Sequence, residues 1–210
     1  MQHIFSGIHD AALSRQAHYS GWEYDEHIRI KNFDESIPDR HIAAVAVHAC
    51  KSEVRIQGLV QKYQVAHFRL FLILSAPPSA ERPFESVELN NFSHNRLVTT
   101  TEIAYRRYLF SRTETFITVE MASTTTPHPT VREVLDHLFN EKKRHLYQLD
   151  SDTGSGCRYW CQTVLKDIAR KGWLHNDAPH KTEQIADIIQ HSVPGVLVSE
   201  VGNPKGGQFY

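Results

Sequence analysis

Val65-Ala66-His67-Phe68-Arg69-Leu70-Phe71-Leu72-Ile73-Leu74 decides the fold class. Its β-branched and aromatic content reads as a strand. Period-2 alternation puts Phe68, Leu70, Leu72 and Leu74 on one face and His67, Arg69, Phe71 and Ile73 on the other. Large apolar residues on both faces demand cover on both sides, so this strand belongs in the middle of a sheet. Outward from it, Ala43 to Ala49, Ser86 to Phe92, Ile103 to Phe110 and Thr115 to Met121 read as further strands, with Ala76-Pro77-Pro78-Ser79 as a turn. A hairpin centred near 79 or 80 sets position 67 opposite about 92. Asn90 and Asn91 then fall near the His67 ring, and Glu88 pairs near Phe71.

Beyond Pro127-His128-Pro129 the period changes. Thr130-Val131-Arg132-Glu133 matches a capping box and Val131, Val134, Leu135 and Leu138 share a helical face, which predicts a helix from about 131 to 143. A second helix starts near Cys157, with Trp160, Val164, Leu165 and Ile168 on one stripe and Gly172 as its stop. Ile185, Ile188 and Ile189 suggest a third. The expectation is an α+β fold, an antiparallel sheet packed against C-terminal helices. Residues 1–38 read as an N-terminal arm, 39–195 as a single α+β catalytic domain, and 196–210 as a flexible C-terminal tail.

Composition narrows the class of function. The 210 residues hold 23 Lys+Arg against 24 Asp+Glu, a net charge of −1, so any polyanionic partner must be met through a local patch. No apolar run approaches the 18 residues that span a bilayer, and the first residues lack a signal-peptide core. A cytoplasmic protein with no membrane partner is expected. Three cysteines, an odd number, argue for reduced thiols. The 14 histidines invite a metal reading, but Cys157-x3-Cys161 has no second matched pair and the histidines fall at irregular spacings. No metal and no cofactor are expected. A G-x-S-x-G elbow and both Gly-rich phosphate loops are missing.

The passage that carries chemistry is His145-Leu146-Tyr147-Gln148-Leu149, the loop Asp150 to Gly156, and Cys157-Arg158-Tyr159-Trp160-Cys161. A cysteine in the first turn of a helix meets free N–H groups and the positive end of the dipole, which favour the thiolate. The bland alternative is a small buried hydrophobe, the reading given to Cys161. A nucleophile needs a base, and His67 on the central strand is the best of the histidines, with Asn90 as the residue that orients its ring. Catalytic candidates are therefore Cys157, His67 and Asn90. Arg158 and Tyr159, beside the cysteine, are candidates to bind the substrate.

The order of histidine on a strand, polar residue on the next strand, then Tyr147-Gln148-Leu149 and Cys157-Arg158-Tyr159-Trp160 entering a helix resembles the circularly permuted papain-like fold of the lecithin retinol acyltransferase and PPPDE thiol peptidase families. The likeness covers roughly 41–172, with Gly156 where those families carry asparagine. The Gly-Cys-Arg-Tyr-Trp segment and the strand Ser86-Val87-Glu88-Leu89-Asn90 also resemble a fungal group that includes arginine-containing cyclodipeptide synthases. That resemblance implies natural-product biosynthesis by acyl transfer. Cys157 would receive an arginyl group from arginyl-tRNA, a second charged tRNA would supply the amine, and closure would give a diketopiperazine. A guanidinium substrate would want a carboxylate in the pocket, for which Glu88, Glu102, Asp150 and Asp152 are the candidates, the last two in the loop before Cys157. A tRNA partner would use the local basic clusters Arg106-Arg107, Lys142-Lys143-Arg144, and Lys166 with Arg170-Lys171, for which a solvated surface is the competing reading. The alternatives are a thiol hydrolase acting on an amide or thioester, and a binding module with an inert cysteine.

Overall fold

The strand that holds His67 forms, as its alternation requires, near the middle of a mixed sheet. A computed structural model describes residues 21–55, 62–76, 79–95, 98–149, 156–198 and 207–210. Its strands are β1 (Ile28–Lys31), β2 (Ile42–Arg55), β3 (Lys62–Leu74), β4 (Ser86–Asn95), β5 (Val98–Arg106), β6 (Thr115–Ala122), β7 (Tyr147–Gln148), β8 (Val196–Leu197) and β9 (Gln208–Phe209). The sheet runs β1-β5-β4-β3-β2-β6, with β8 alongside β3 and a separate β7-β9 pair. Neighbours from β5 to β6 are antiparallel, while β1 joins β5 and β8 joins β3 in parallel. The architecture is α+β.

Leu70↔Leu89 and Phe71↔Glu88 are paired, the register that the turn near 79 implies. β5 covers Val98–Arg106 rather than 103–110, and Ser86 stands opposite Arg106 at its far end. Phe68, Leu70, Leu72 and Leu74 enter the main core beneath the helices, whereas Phe71 and Ile73 join Ala44, Ala46 and Phe110 on the opposite face. The two faces of β3 are thus both covered, one by helices and one in part by the segment that carries Phe110.

Helix α1 (Val131–Asp136) begins at Thr130, whose hydroxyl accepts the Glu133 N–H at 3.2 Å while the Glu133 carboxylate accepts the Thr130 N–H at 2.7 Å. It widens into a π-helical turn over His137–Glu141 instead of running to 143 as a regular helix. Helix α2 (Cys157–Arg170) packs on β3 with Trp160, Cys161, Val164, Leu165 and Ile168 buried. Helix α3 (Lys181–Ser192) buries Ile185 and Ile189, but Ile188 is 48 % exposed. Truncating a fully buried aromatic such as Trp160 costs about 3–5 kcal/mol.

Both ends of the described chain join the body. Trp22 and Ile37 lie in the core, and β1 extends the sheet beyond β5. In the stretch expected as a flexible tail, Val196–Leu197 pair with Gln64–Val65, and Gln208–Phe209 pair with Gln148 and Tyr147.

Candidate active site

The site lies where the sheet opens. β3 and β4 pair from Ile73↔Ser86 only as far as Leu70↔Leu89, although both strands continue. Two residues further along β3 the backbone N–H of Phe68 has no β4 partner, and it donates to the Cys157 sulfur at 3.4 Å. Beyond that, β8 takes over the same edge at Gln64 and Val65. The first turn of α2 therefore fills the gap between β4 and β8, with its thiol against the edge of the central strand.

His67 and Asn90 flank this gap. The His67 Nε2–H donates to Asn90 Oδ1 at 2.7 Å, which leaves Nδ1 for the hydrogen bond that the imidazole makes with the Cys157 thiol. Burial works against the Cys157 thiolate. The adjoining His67 ring and the N–H groups of Phe68 and Arg158 outweigh it and hold the thiol below its ordinary value. Burial likewise disfavours the imidazolium, but Cys157 and Asn90 hold His67 above its ordinary value. Both shifts run in the direction that favours a thiolate–imidazolium pair. Cys161, buried and next to Cys157, is pushed well up, and burial pushes Cys50 up against the pull of Arg69. His48, held down to about 4 by burial and then by Arg69, is neutral.

Gly156 caps α2 with φ 120°, a backbone conformation that suits glycine, and its carbonyl accepts both the Trp160 N–H and the Tyr147 hydroxyl at 2.9 Å. As the first residue of the helix, Cys157 has a backbone N–H without an intrahelical acceptor. A donor so placed beside a nucleophile is suited to a developing oxyanion.

The other sequence candidates separate. Glu88 is buried between Arg69, at 2.7 Å, and Arg106, at 2.6 Å, so its carboxylate is already neutralised from both sides. Arg69 also donates to the Cys50 sulfur at 2.9 Å, and Cys50 is the cross-strand partner of His67. Arg158 is buried in the first turn of α2, and Tyr159 stacks near Tyr147 and Phe209. Asp150 and Asp152 lie outside the described residues.

Of the basic candidates, Arg144, Lys166 and Arg170 line one groove of about 440 Å³ with Tyr159 and Phe209. Arg144 is bound there to buried Asp167 at 2.5 Å and lies 4.6 Å over the Phe209 ring. Lys171 pairs with Glu141 at 3.1 Å, while Lys142 and Lys143 are exposed on the segment between α1 and β7. Arg107 lies over Phe84 just beyond the end of β5 and, with Arg106, lines a different groove. The basic residues therefore form at least two separate surfaces. Among the described residues no three His, Cys, Asp or Glu side chains converge to hold a metal ion, and no described helix is long and apolar enough to cross a membrane.

The chain belongs to the DUF7770 family, a domain of unknown function, which it matches over residues 45–210. All three residues of the Cys157, His67 and Asn90 array fall within that DUF7770 span. No curated protein and no solved structure matches it.

Sequence reasoning missed the Phe68 N–H, a backbone donor that no side-chain motif marks. It also missed the role of the Tyr147 hydroxyl, although Tyr147 stands within the quoted Tyr-Gln-Leu segment.

Proposed function

We propose that this DUF7770 protein is an acyl-transfer enzyme in which Cys157 carries the acyl group, His67 moves the proton and Asn90 orients His67. The single observation that carries this reading is the array of Asn90, His67 and Cys157, closed by the Phe68 N–H on the sulfur. The thiolate attacks the substrate carbonyl carbon, the Cys157 N–H faces the oxyanion, and the imidazolium gives its proton to the leaving group. An incoming amine or water, deprotonated by His67, then releases the acyl group from sulfur. The order histidine, polar residue, cysteine on β3, β4 and α2 suits a circularly permuted papain-like arrangement.

The acyl donor in this reading is arginyl-tRNA, and a second charged tRNA supplies the amine of an arginine-containing diketopiperazine. The groove beside α2 supports it by setting Lys166 and Arg170 along the helix that starts with the nucleophile. With Glu88 engaged by Arg69 and Arg106, and Glu102 by Lys31 at 2.6 Å, Asp150 and Asp152 are the candidates left for the guanidinium. A coupled assay with arginyl-tRNA synthetase, tRNA and free amino acids, read by mass spectrometry, tests the proposal. A diketopiperazine that disappears with ribonuclease and with Cys157→Ala supports it. Product that survives either treatment overturns the tRNA-dependent route, and tRNA-independent turnover of an amide or thioester favours a thiol hydrolase.

A further inference from the structure

The Gly156–Cys157 peptide, whose N–H is the candidate oxyanion donor, is held from the far side by a residue outside the Cys–His–Asn array. Tyr147 is fully buried, and its hydroxyl donates to the Gly156 carbonyl at 2.9 Å. In a planar trans peptide the carbonyl and the following N–H point in opposite directions, so a bond that fixes the Gly156 carbonyl also aims the Cys157 N–H. The helical bond from the Trp160 N–H already reaches this carbonyl at 2.9 Å, and because a glycine at φ 120° has wide conformational freedom the Tyr147 hydroxyl supplies a second restraint from another direction.

Tyr147 is itself seated by residues 207–210. β9 pairs with β7 through Tyr147↔Phe209, the two rings lie with centroids 4.6 Å apart, and the Tyr210 N–H donates to the Leu146 carbonyl at 3.2 Å. Arg144 covers the outer side of Phe209. Gly207 passes so close that a Cβ there would collide with the Tyr147 hydroxyl and ring, and its φ of +97° disfavours any side chain. Glycine is thus required twice at this point, by the close approach and by the backbone.

We infer that Tyr147 is a positioning residue for acyl transfer, and that Gly207–Tyr210 form the seat that keeps its hydroxyl on Gly156 and the Cys157 N–H aimed at the oxyanion. The inference rests on Cys157 being the nucleophile.

Two reactions of the same sulfur separate aim from nucleophilicity. Alkylation by iodoacetamide forms a C–S bond, expels iodide and passes through no oxyanion. Acylation by p-nitrophenyl acetate forms a C–S bond through a tetrahedral oxyanion, breaks the aryl ester C–O bond and releases p-nitrophenolate. Tyr147→Phe, which removes one oxygen from a buried ring, is expected to slow acylation of Cys157 about tenfold and to leave alkylation within about twofold, because loss of an oxyanion donor costs about 10²–10³ and misaiming costs less. Gly207→Ala is expected to give the same divergence, with Tm recorded for both variants. Equal slowing of both reactions, or no slowing of acylation, overturns the positioning role. If wild-type Cys157 is neither acylated nor alkylated faster than an ordinary thiol, the nucleophile reading has failed, and the seat falls with it.

Discussion

The Phe68 N–H donates to the Cys157 sulfur at the point where β3 has parted from β4 and has not yet met β8. The sulfur thereby takes the place of a strand carbonyl at the edge of the central strand, with the His67 ring on the residue before. A thiol held in this way ionises more readily than an ordinary one, whereas Cys50 and Cys161 are both pushed up. Limited iodoacetamide treatment near pH 7 followed by peptide mass spectrometry should therefore label Cys157 first. Equal labelling of the three cysteines would contradict the thiolate.

The pH dependence follows from the two opposite shifts. The Cys157 value is lowered, so thiolate accumulates as pH rises through a value below that of an ordinary thiol. The His67 value is raised, so the imidazolium that must protonate the leaving group is lost only as pH rises past a value above that of an ordinary histidine. Acylation of Cys157 should trace a bell whose two limbs belong to the coupled pair. Asn90 contributes to holding the His67 proton, so Asn90→Ala should move the descending limb to lower pH. A descending limb that stays in place would show that Asn90 does not act through His67.

Removing the base should affect both reactions of the sulfur. His67→Ala leaves Cys157 buried without its largest favourable partner, so the thiol should move up and alkylation near neutral pH should slow. Acyl transfer should fall by about 10²–10⁴, the usual worth of a positioned general acid–base. Stopped-flow acylation with parallel circular dichroism checks this, and a variant that acylates at the wild-type rate would remove His67 from the mechanism.

Glu88 offers a test of binding against architecture. Its carboxylate joins Arg69 on β3 to Arg106 on β5, and Arg69 in turn bonds Cys50 on β2. Glu88→Ala removes the carboxylate shared by two partly buried guanidinium groups, leaving Arg69 with the Cys50 sulfur and Arg106 with Glu102 at 3.8 Å, and should cost about 3–5 kcal/mol in urea denaturation. A variant of unchanged stability but weaker affinity for a cationic substrate would instead return Glu88 to the substrate pocket.

What the sequence revealed follows from the range of each interaction. The faces of Val65 to Leu74 were legible because alternation is local, and the β3–β4 register was legible because one short turn fixes every pair. The proximity of His67 and Asn90 came from the same arithmetic. The parting of the strands beyond Leu70 and Leu89 was not legible, since it exists only because the start of α2 occupies the gap. The four residues of β1, Ile-Arg-Ile-Lys, do alternate, but the run is the shortest that reads as a strand, and its parallel place beside β5 depends on the whole sheet. The neutralisation of Glu88 and of Asp167 joins residues 18 to 23 positions apart, beyond any local motif.

Arg144 and Lys166 line the same groove, yet their roles should divide. The Arg144 guanidinium meets Asp167, whose side chain is only 1 % exposed, and covers Phe209, while the Arg144 carbonyl accepts the Trp160 indole N–H at 2.7 Å. Arg144→Ala strands a buried carboxylate and should lower stability by about 3–5 kcal/mol. Lys166 is exposed, and Lys166→Ala should stay within about 0.5 kcal/mol of wild type. If the groove takes a polyanion, Lys166→Ala and Arg170→Ala should weaken binding and flatten its dependence on salt, because each released phosphate contact lowers the slope. Filter binding of tRNA across a salt series, beside denaturation curves for the three variants, reads both properties. Unchanged affinity and slope in Lys166→Ala and Arg170→Ala would remove the groove as the nucleic-acid surface and leave Arg144 with a purely structural role.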